Sequence, residues 1–403
     1  MSQTLEQIAS LLSSPQVTRK TVTKETRQIP PKEVEETKPV PKVQLIYAFN
    51  GNGKTRLSST LKELVDPKGD DRPDDHLPKI LYYNAFTEDL FYWDNDLEGD
   101  TERKLKIHPN AYTKIAFEDL GLDVRVITTF QRYTQPNLTP RFSSDFLEVT
   151  FSLERGDNEG IENLKISKGE ESNFIWSVFY CLLDQVISAR NMAEIEDRET
   201  QQFNDLEYVF IDDPVSSLDE NHLIQLAVDV AGLIKRSEAT NGLKFVITTH
   251  SPLFYNVLFN ELNSKTCYML EKLEDGTFKL DAKHGDSNRS FSYHLHLRRL
   301  LAEAIEQNKI ERIHFMFLRN LYEKTAAFLG YQNWGDLLNT VPDVDAPGAR
   351  QGYLNRVMQF SSHSSLSGEQ VREPDGPEKQ MVKLLFDNLI NNYRFVQQEV
   401  QNG

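Results

Sequence analysis

Residues 48–55 read A-F-N-G-N-G-K-T, and this stretch decides the fold of the N-terminal part of the chain. The residues before it, V-Q-L-I-Y-A-F at 43–49, have the pattern of a buried strand, and R-L-S-S-T-L-K-E-L at 56–64 has that of a helix. A glycine-rich turn between a strand and a helix points consecutive backbone N–H groups into one concavity, where phosphate oxygens bind. The stretch therefore predicts a phosphate loop.

Within this loop, Gly51 and Gly53 free the backbone, and Lys54 is expected to reach the β- and γ-phosphates of a nucleotide. The Thr55 hydroxyl is a predicted magnesium ligand. Ala48 replaces the first glycine of the usual pattern. The sequence does not choose between ATP and GTP. The predicted nucleotide-binding residues of the loop are Asn50, Gly51, Asn52, Gly53, Lys54, Thr55 and Arg56.

Two adjacent carboxylates end a second apolar run. V-F-I at 209–211 predicts a buried strand, and Asp212 and Asp213 follow it directly. Ligands bind beside the carboxyl ends of the strands in α/β sheets. We therefore expect Asp212 to hold magnesium through water.

Three shorter motifs accompany the loop and the acidic pair, namely I-S-K-G-E at 166–170, S-L-D at 217–219 and T-T-H at 248–250. The order and spacing of all five stretches resemble those of an ABC-type ATPase head. The resemblance implies that His250 senses the γ-phosphate. It also places Asp213 where ABC enzymes usually carry a glutamate that polarises the attacking water, and the shorter side chain is expected to slow hydrolysis or to require a closer approach.

The same resemblance implies a dimer. In ABC heads the signature stretch begins a helix, and Ser167 and Gly169 would contact the γ-phosphate bound by a second copy of the chain. Hydrolysis then needs two heads, arranged head to tail with nucleotide between them. Glu170 and Asp219 complete the predicted nucleotide-binding set.

Composition limits the class of protein. The chain has 403 residues, 39% of them hydrophobic and 10% aromatic, which is enough for a sizeable core and two or three domains. The net charge of −16 argues against an undirected polyelectrolyte binder of nucleic acid, although a local basic groove remains compatible with it. We expect neither a membrane span nor a secretory signal. Cys181 and Cys267 are too few for a disulfide framework or a zinc site, so a reducing cytoplasm is the expected location.

Three parts are expected along the chain. Residues 1–42 read as a helix at 4–12 and a polar, strand-poor lead-in, residues 43–283 as the α/β nucleotide-binding head, and residues 284–403 as an all-α bundle. The head is expected to have a mixed sheet, with further strands at 79–86, 123–131 and 146–153 and a hairpin around the turn at 274–276. The bundle is expected to have helices within 293–329, 350–360 and 377–400.

Arg319 and Glu323 lie four residues apart in L-R-N-L-Y-E-K-T, on one face of a predicted helix. An isolated pair of this kind is ordinarily a surface salt bridge. His363, in a Ser-rich stretch beyond the next helix, changes the interpretation. Metal-independent RNA cleavage needs a base for the ribose 2′-OH, an acid for the leaving 5′ oxygen and a guanidinium for the charged phosphorus. Arg356 and His363 also have a spacing that resembles the HEPN ribonuclease pattern.

With N-G-N-G-K-T, S-K-G-E, D-D-P-V-S-S-L-D and T-T-H-S-P in the head, no coiled coil, and then R-N-L-Y-E and S-H-S, the chain resembles the PrrC anticodon nuclease family. The resemblance implies a nucleotide-hydrolysing head and a C-terminal domain that cuts a lysine tRNA on the 5′ side of the wobble base. The products would carry 2′,3′-cyclic phosphate and 5′-OH ends. Arg319, Glu323 and His363 would form the nuclease triad. The family is held latent by a type I restriction-modification complex and released when a phage disarms it.

The stretch K-H-G-D-S-N-R-S-F-S-Y-H at 283–294 resembles the segment that these nucleases use near the anticodon. Asp286 and Ser287 are expected to hydrogen-bond a modified wobble base, and Phe291 and Tyr293 to stack on splayed bases. A polar loop that caps the next helix is the alternative. Candidates for phosphate contacts are Arg289, Arg298, Arg299 and Arg312.

Two functions therefore remain open from the sequence. The first is a nucleotide-gated tRNA endonuclease, in which the heads rearrange the helical domains into a cutting geometry. The second is an SMC-like ATPase without nuclease activity, whose heads clamp DNA or a partner protein and whose helical bundle is a docking surface. The Arg319, Glu323 and His363 set discriminates between them.

Overall fold

The computed structural model divides the chain into two compact units, Met1–Ser287 and Asn288–Gly403, called the N-terminal and C-terminal units below. It describes residues 2–22, 32–67, 77–84, 91–95, 99, 103–108, 111–154, 160–214, 219–238, 241–273, 275–283, 293–341, 349–361 and 373–393. Within these ranges, no helix is both long enough and apolar enough to cross a membrane.

The helices and strands of the N-terminal unit follow in this order along the chain: α1 (Leu5–Ser13), β1 (Gln16–Val22), β2 (Lys32–Lys38), β3 (Val43–Tyr47), α2 (Lys54–Val65), β4 (Ile80–Asn84), β5 (Phe91–Asp94), β6 (Lys104–Ile107), α3 (Ala111–Lys114), α4 (Asp123–Tyr133), β7 (Leu138–Phe142), β8 (Glu148–Leu153), α5 (Lys168–Asn191), β9 (Tyr208–Asp212), α6 (Glu220–Arg236), β10 (Lys244–Thr249), α7 (Pro252–Leu262), β11 (Cys267–Lys272) and β12 (Phe278–Lys283).

A mixed six-stranded sheet organises this unit, in the order β12-β11-β3-β10-β9-β4. All neighbours are parallel except the β11–β12 hairpin. Every residue of β9 is buried, as continuous apolar runs in parallel sheets require. The register sets Asp212 of β9 opposite Thr248 of β10 and Asn84 of β4. The polar residues that follow β3, β9 and β10 therefore meet at one edge of the sheet. The mixed sheet and the hairpin that the sequence predicts are confirmed.

A second, antiparallel sheet has the order β5-β6-β8-β7. It confirms a strand at 146–153, observed as β8, but the strand predicted at 123–131 is wrong, because these residues form α4. The alternation of valines suggested a strand. The buried residues of α4 are Val126, Phe130 and Tyr133, whose spacing is helical, and Val124 is 66% exposed.

The strand-poor lead-in predicted after α1 is also wrong. β1 and β2 pair over their full length as an antiparallel ribbon, with Arg19 opposite Glu35. The segment carries β-branched residues within an otherwise charged sequence, and the charge masked their strand propensity. Helix α1 is confirmed. It packs on α2, and its buried face joins the core cluster that contains Leu57 and Leu61. The apolar residues of that face are Leu5, Ile8, Ala9 and Leu12.

The C-terminal unit is helical, as expected. Its helices are α8 (Tyr293–Glu306), α9 (Arg312–Leu329), α10 (Ala349–Ser361) and α11 (Gly376–Asn392), with a 3₁₀ turn at Trp334–Thr340. The expected helical stretch 293–329 is broken at 307–311, where Asn308 has a left-handed φ of 54°. Helix α9 lies at the centre. It packs against α8, α10 and α11, and its Tyr322 hydroxyl donates to the Leu385 carbonyl at 2.8 Å.

Candidate functional site

The phosphate loop has the backbone that its glycines predict. Gly51 and Gly53 have φ angles of 84° and 85°, in the left-handed region that glycine adopts without strain. Gly53 is the N-cap of α2, so the loop delivers its N–H groups to a helix N-terminus. A Cβ atom at Gly53 would also lie 2.8 Å from the Phe278 ring. Backbone angle and packing therefore both require glycine at this position.

Lys54 is 7% exposed and turns back onto the loop. Its Nζ donates to the Ala48 carbonyl at 3.2 Å and to Asn50 Oδ1 at 3.1 Å. It also lies 3.3 Å from Asp213 Oδ2. The ammonium group therefore joins the loop after β3 to the carboxylate after β9. An anion at the loop would meet a cation that is already held in place.

Asp212 is 1% exposed and surrounded by hydroxyl groups. Its carboxylate accepts from Thr248 Oγ1 at 2.6 Å and from Tyr82 OH at 3.3 Å, and Ser58 Oγ lies at 3.4 Å. Burial raises the pKa of Asp212 above its ordinary value, and the hydroxyls of Thr248 and Thr55 oppose this effect. The sequence did not point to Ser58 or Tyr82, because neither belongs to a motif.

Asp213 differs from its neighbour in backbone conformation and in the direction of its pKa shift. Its backbone φ is 48°, in the left-handed region. His250 donates its backbone N–H to Asp213 Oδ1 at 3.2 Å, and His250 Nδ1 lies 2.6 Å from Oδ2. Burial alone would raise the pKa of Asp213, but His250 and the Lys54 charge outweigh burial, and the pKa lies below its ordinary value. Asp213 is therefore a carboxylate held ionised between two partners.

Magnesium can be accommodated at this edge of the sheet. Oxygen atoms are the ligands that Mg²⁺ prefers, and Asp212 and Thr55 would supply a carboxylate and a hydroxyl. The phosphate loop, the acidic pair and His250 are thus brought together as the sequence predicts. Their individual roles stay predictions.

The signature residues Ser167 and Glu170 form a capping box at the start of α5. Ser167 Oγ accepts from the Glu170 backbone N–H at 3.2 Å, and Glu170 Oε2 accepts from the Ser167 N–H at 2.7 Å. Gly169 lies in the first turn of the same helix. Asp219 caps α6 by accepting from the backbone N–H groups of Asn221 and His222 at 3.0 Å. Contacts with a second chain stay predictions.

Beside the signature lies a residue that the sequence analysis missed. Glu171 is 3% exposed and accepts from Trp93 Nε1 at 2.9 Å, while Lys168 Nζ lies 3.1 Å from its carboxylate. The contact ties the signature helix to the second sheet. No local pattern connects residues 93 and 171, so only the fold reveals this contact.

In the C-terminal unit, Arg319 and Glu323 form the predicted pair on α9. Arg319 Nε donates to Glu323 Oε1 at 2.7 Å, and the two side chains are 30% and 38% exposed. The neighbouring residues Leu318, Leu321 and Tyr322 point into the core. The pair therefore lies on the accessible face of a helix whose opposite face is packed in the core of the C-terminal unit.

His363 lies outside the described residues, and α10 ends two residues before it, at Ser361. The predicted tRNA-binding residues Asp286, Ser287, Arg289 and Phe291 also lie outside them, and Tyr293 is the first residue of α8. Arg299, a candidate for phosphate contact, pairs with Glu303 at 3.1 Å. Arg356, singled out for its spacing to His363, pairs with the buried Glu378 at 3.2 Å.

Comparison with known proteins finds a relative over the whole chain. An "Anticodon nuclease" of Escherichia coli is 58% identical over 414 aligned residues, which cover 100% of each chain. No protein-family model matches. Among solved structures, an SMC head bound to the C-winged helix domain of ScpA has 12% identity and a TM-score of 0.33, over 62% of this chain and 93% of that one. A second, an SMC head with an extended coiled coil bound to the C-terminal domain of ScpA from Pyrococcus furiosus, has 14% identity and a TM-score of 0.25, over 40% and 34%.

Proposed function

The chain belongs to the anticodon nuclease family, and we propose that it is an endoribonuclease that cuts a tRNA in the anticodon loop under the control of nucleotide bound by its N-terminal unit. The observation that carries the nuclease assignment is the Arg319–Glu323 pair, which is accessible on α9 as a substrate phosphate would require. Identity over the full length supports the assignment, because the relative covers the α9 region as well as the head.

The reaction proposed at α9 is attack of a ribose 2′-OH on the phosphorus of the adjacent 3′-phosphate. Glu323 and His363 remove the 2′ proton and protonate the leaving 5′ oxygen, and Arg319 stabilises the extra negative charge on phosphorus. Pairing with Glu323 holds the Arg319 guanidinium in one direction before substrate binds. The products would be a 2′,3′-cyclic phosphate and a 5′-OH.

The proposed substrate is lysine tRNA, and the basis is the resemblance described in the sequence analysis. Asp286, Ser287, Arg289 and Tyr293 would bind its anticodon loop. A type I restriction-modification complex is the proposed silencing partner, with release on phage infection. The net charge of −16 fits recognition of a single loop through a local groove better than it fits general RNA binding.

The N-terminal unit is proposed to bind and hydrolyse ATP or GTP. Lys54 and the loop N–H groups would hold the phosphates, and His250, oriented by Asp213, would contact the γ-phosphate. Bound magnesium, held by Asp212 and Thr55, would neutralise phosphate charge. Ser167 and Gly169 of a second copy would complete the site, which gives a head-to-tail homodimer.

The position of Lys54 supports control of RNA cleavage by bound nucleotide. This one ammonium group contacts both the phosphate loop and Asp213, and Asp213 in turn holds His250. A phosphate that attracts Lys54 would therefore change the set of contacts on Asp213 and on the strand end that carries His250. Binding of nucleotide would in this way change side-chain contacts inside the N-terminal unit.

The test is to incubate the purified full-length chain with total tRNA, with and without nucleotide, and to map the cut and its end groups. We expect one cut in the anticodon loop of lysine tRNA with a 2′,3′-cyclic phosphate, only with nucleotide present. Arg319→Ala controls for contaminating ribonuclease. Ends without a cyclic phosphate would contradict 2′-OH attack, and absence of any cut would favour an ATPase clamp.

A further inference from the structure

The C-terminal end of α9 exposes three apolar side chains, Phe328, Leu329 and Tyr331, which together are called the α9 tip below. Phe328 is 90% exposed, Leu329 44% and Tyr331 45%. Within the part of the chain that the structure describes, Phe328 is the most exposed large apolar side chain. Single exposed apolar residues are common, but three within four positions form a patch of the kind that marks an interaction site.

The backbone of the α9 tip is fixed by the end of the helix. Gly330 has a φ of 80°, in the left-handed region, and its N–H donates to the Ala327 carbonyl at 3.2 Å. The Tyr331 N–H donates to the Ala326 carbonyl at 2.9 Å. These two bonds form a Schellman motif, which satisfies the last carbonyls of a helix. Ala326 is 2% exposed and belongs to the core of the C-terminal unit, so the tip is held in place before any partner binds.

The α9 tip lies on the same helix as the Arg319–Glu323 pair. Phe328 is five residues beyond Glu323, which is about 7.5 Å along the helix axis. Lys324 is exposed and lies between them, since it follows Glu323 directly and precedes Phe328 by about one turn. Single-stranded nucleic acid binds to surfaces that combine cations for its backbone with aromatic rings on which its bases stack. Lys324 and the tip supply both kinds of group beside the proposed cutting site.

We propose that the α9 tip stacks unpaired bases of the RNA next to the cut, with Lys324 contacting the backbone that leads to them. Unpaired bases are what an anticodon loop presents to a protein, and their faces suit the rings of Phe328 and Tyr331. Every base has a π-face, so the tip would add affinity and position the strand without choosing the tRNA. A protein partner would need only apolar contact, whereas the two rings and the lysine favour RNA. The proposal rests on the proposed nuclease function and adds a substrate-binding surface to it.

The test compares three substitutions at Phe328 with a control on the same helix. Phe328→Tyr keeps an aromatic ring, Phe328→Leu keeps an apolar side chain without a ring, and Phe328→Ala removes both. Ile313→Ala is the control, because Ile313 is 46% exposed in the first turn of α9. Exposed side chains contribute little to folding, so all four variants should fold. For each full-length variant, KM and kcat are measured for cleavage of lysine tRNA with nucleotide present, and the molar mass is measured by light scattering.

We expect Phe328→Ala and Phe328→Leu to raise KM by about tenfold or more and to leave kcat within about twofold, because stacking contributes to binding of the RNA. Phe328→Tyr and Ile313→Ala should cleave like the unsubstituted chain, and no variant should change in molar mass.

Three results would overturn the proposal while the nuclease function stands. The first is an unchanged KM in Phe328→Ala. The second is a KM in Phe328→Leu equal to that of the unsubstituted chain, since apolar contact without a ring would then suffice. The third is a lower molar mass in Phe328→Ala, which would assign the α9 tip to contact with a second copy of the chain. If the unsubstituted chain cuts no tRNA, this proposal and the proposed function fail together.

Discussion

The phosphate-loop edge of the sheet and the exposed face of α9 both carry candidate catalytic groups, yet they are assembled differently. At the sheet edge, residues from the ends of three strands and from α2 converge, and Lys54, Asp212 and Asp213 each contact several partners. On α9, the two described residues lie one helical turn apart and contact each other across 2.7 Å. The first site depends on the whole fold, whereas the described pair of the second depends on one helix.

This difference predicts how each region responds to substitution. A partly exposed i,i+4 pair on a helix surface contributes only about 0.3–0.5 kcal/mol to folding, so changes on α9 should alter chemistry and leave stability almost untouched. At the sheet edge, removal of one charge leaves a buried partner uncompensated, so function and stability should change together.

The largest effect is expected for His363→Ala. Loss of a general acid or base costs about 10²–10⁴-fold in rate, so tRNA cleavage should fall to background. Nucleotide affinity, measured on the same preparation, should not change, because the loop and the acidic pair belong to the N-terminal unit. A variant that still cuts at the full rate would remove His363 from the mechanism.

Glu323→Gln comes next, with Glu303→Gln as its matched control. Both carboxylates accept from an arginine four residues earlier on a helix, at 2.7 and 3.1 Å. We expect Glu323→Gln to slow cleavage by about 10²-fold and Glu303→Gln to leave it unchanged, while both melt like the parent. Equal cleavage rates in the two variants would show that the α9 pair is only a surface salt bridge.

Lys54→Ala tests the sheet edge. The side chain supplies a charge-assisted contact worth about 1.5–3 kcal/mol, so nucleotide binding should weaken by about 10–100-fold in calorimetry. Nucleotide-dependent tRNA cleavage should fall in parallel. Unchanged nucleotide affinity would contradict the phosphate-loop assignment.

The smallest effect, and the clearest contrast with α9, is expected in the stability of Asp213→Asn. Loss of the carboxylate should lower the free energy of unfolding by about 1–3 kcal/mol, because it leaves Lys54 buried beside a neutral group. The pKa of Asp213 is lowered in the fold, so its contribution is present above the ordinary value of 3.8 and is lost as pH falls through the lower folded value. Urea unfolding should show a constant difference from neutral pH to about pH 5 and convergence only in strong acid.

Much of the sheet edge could be predicted because its signals are local. The glycines of the loop, the acidic pair after an apolar run and the histidine after another all stand at strand ends, and parallel strands bring such ends together. Arg319 and Glu323 could be predicted for a similar reason, since helical spacing alone makes them neighbours.

What the sequence did not reveal depends on tertiary contacts. Tyr82, Ser58 and Asp212 are far apart along the chain, so nothing local marks the first two as donors to the third. Helix α4 was misread because alternating valines outweighed a helical spacing whose buried members only packing identifies. Ser167 and Glu170 have the spacing of a capping box, a signal that the nucleotide motif obscured.

The pairing of Gln3 with Phe278 determines when the N-terminal unit can finish folding during translation. Domains fold as units during translation, N-terminal first. Because β12 is the last described strand of its unit and closes onto residue 3, the sheet of the N-terminal unit can be completed once Lys283 has emerged from the ribosome. Arg319, Glu323 and His363 emerge only afterwards. On each newly made chain, the part proposed to restrain cleavage can therefore fold before the residues proposed to cut RNA have left the ribosome.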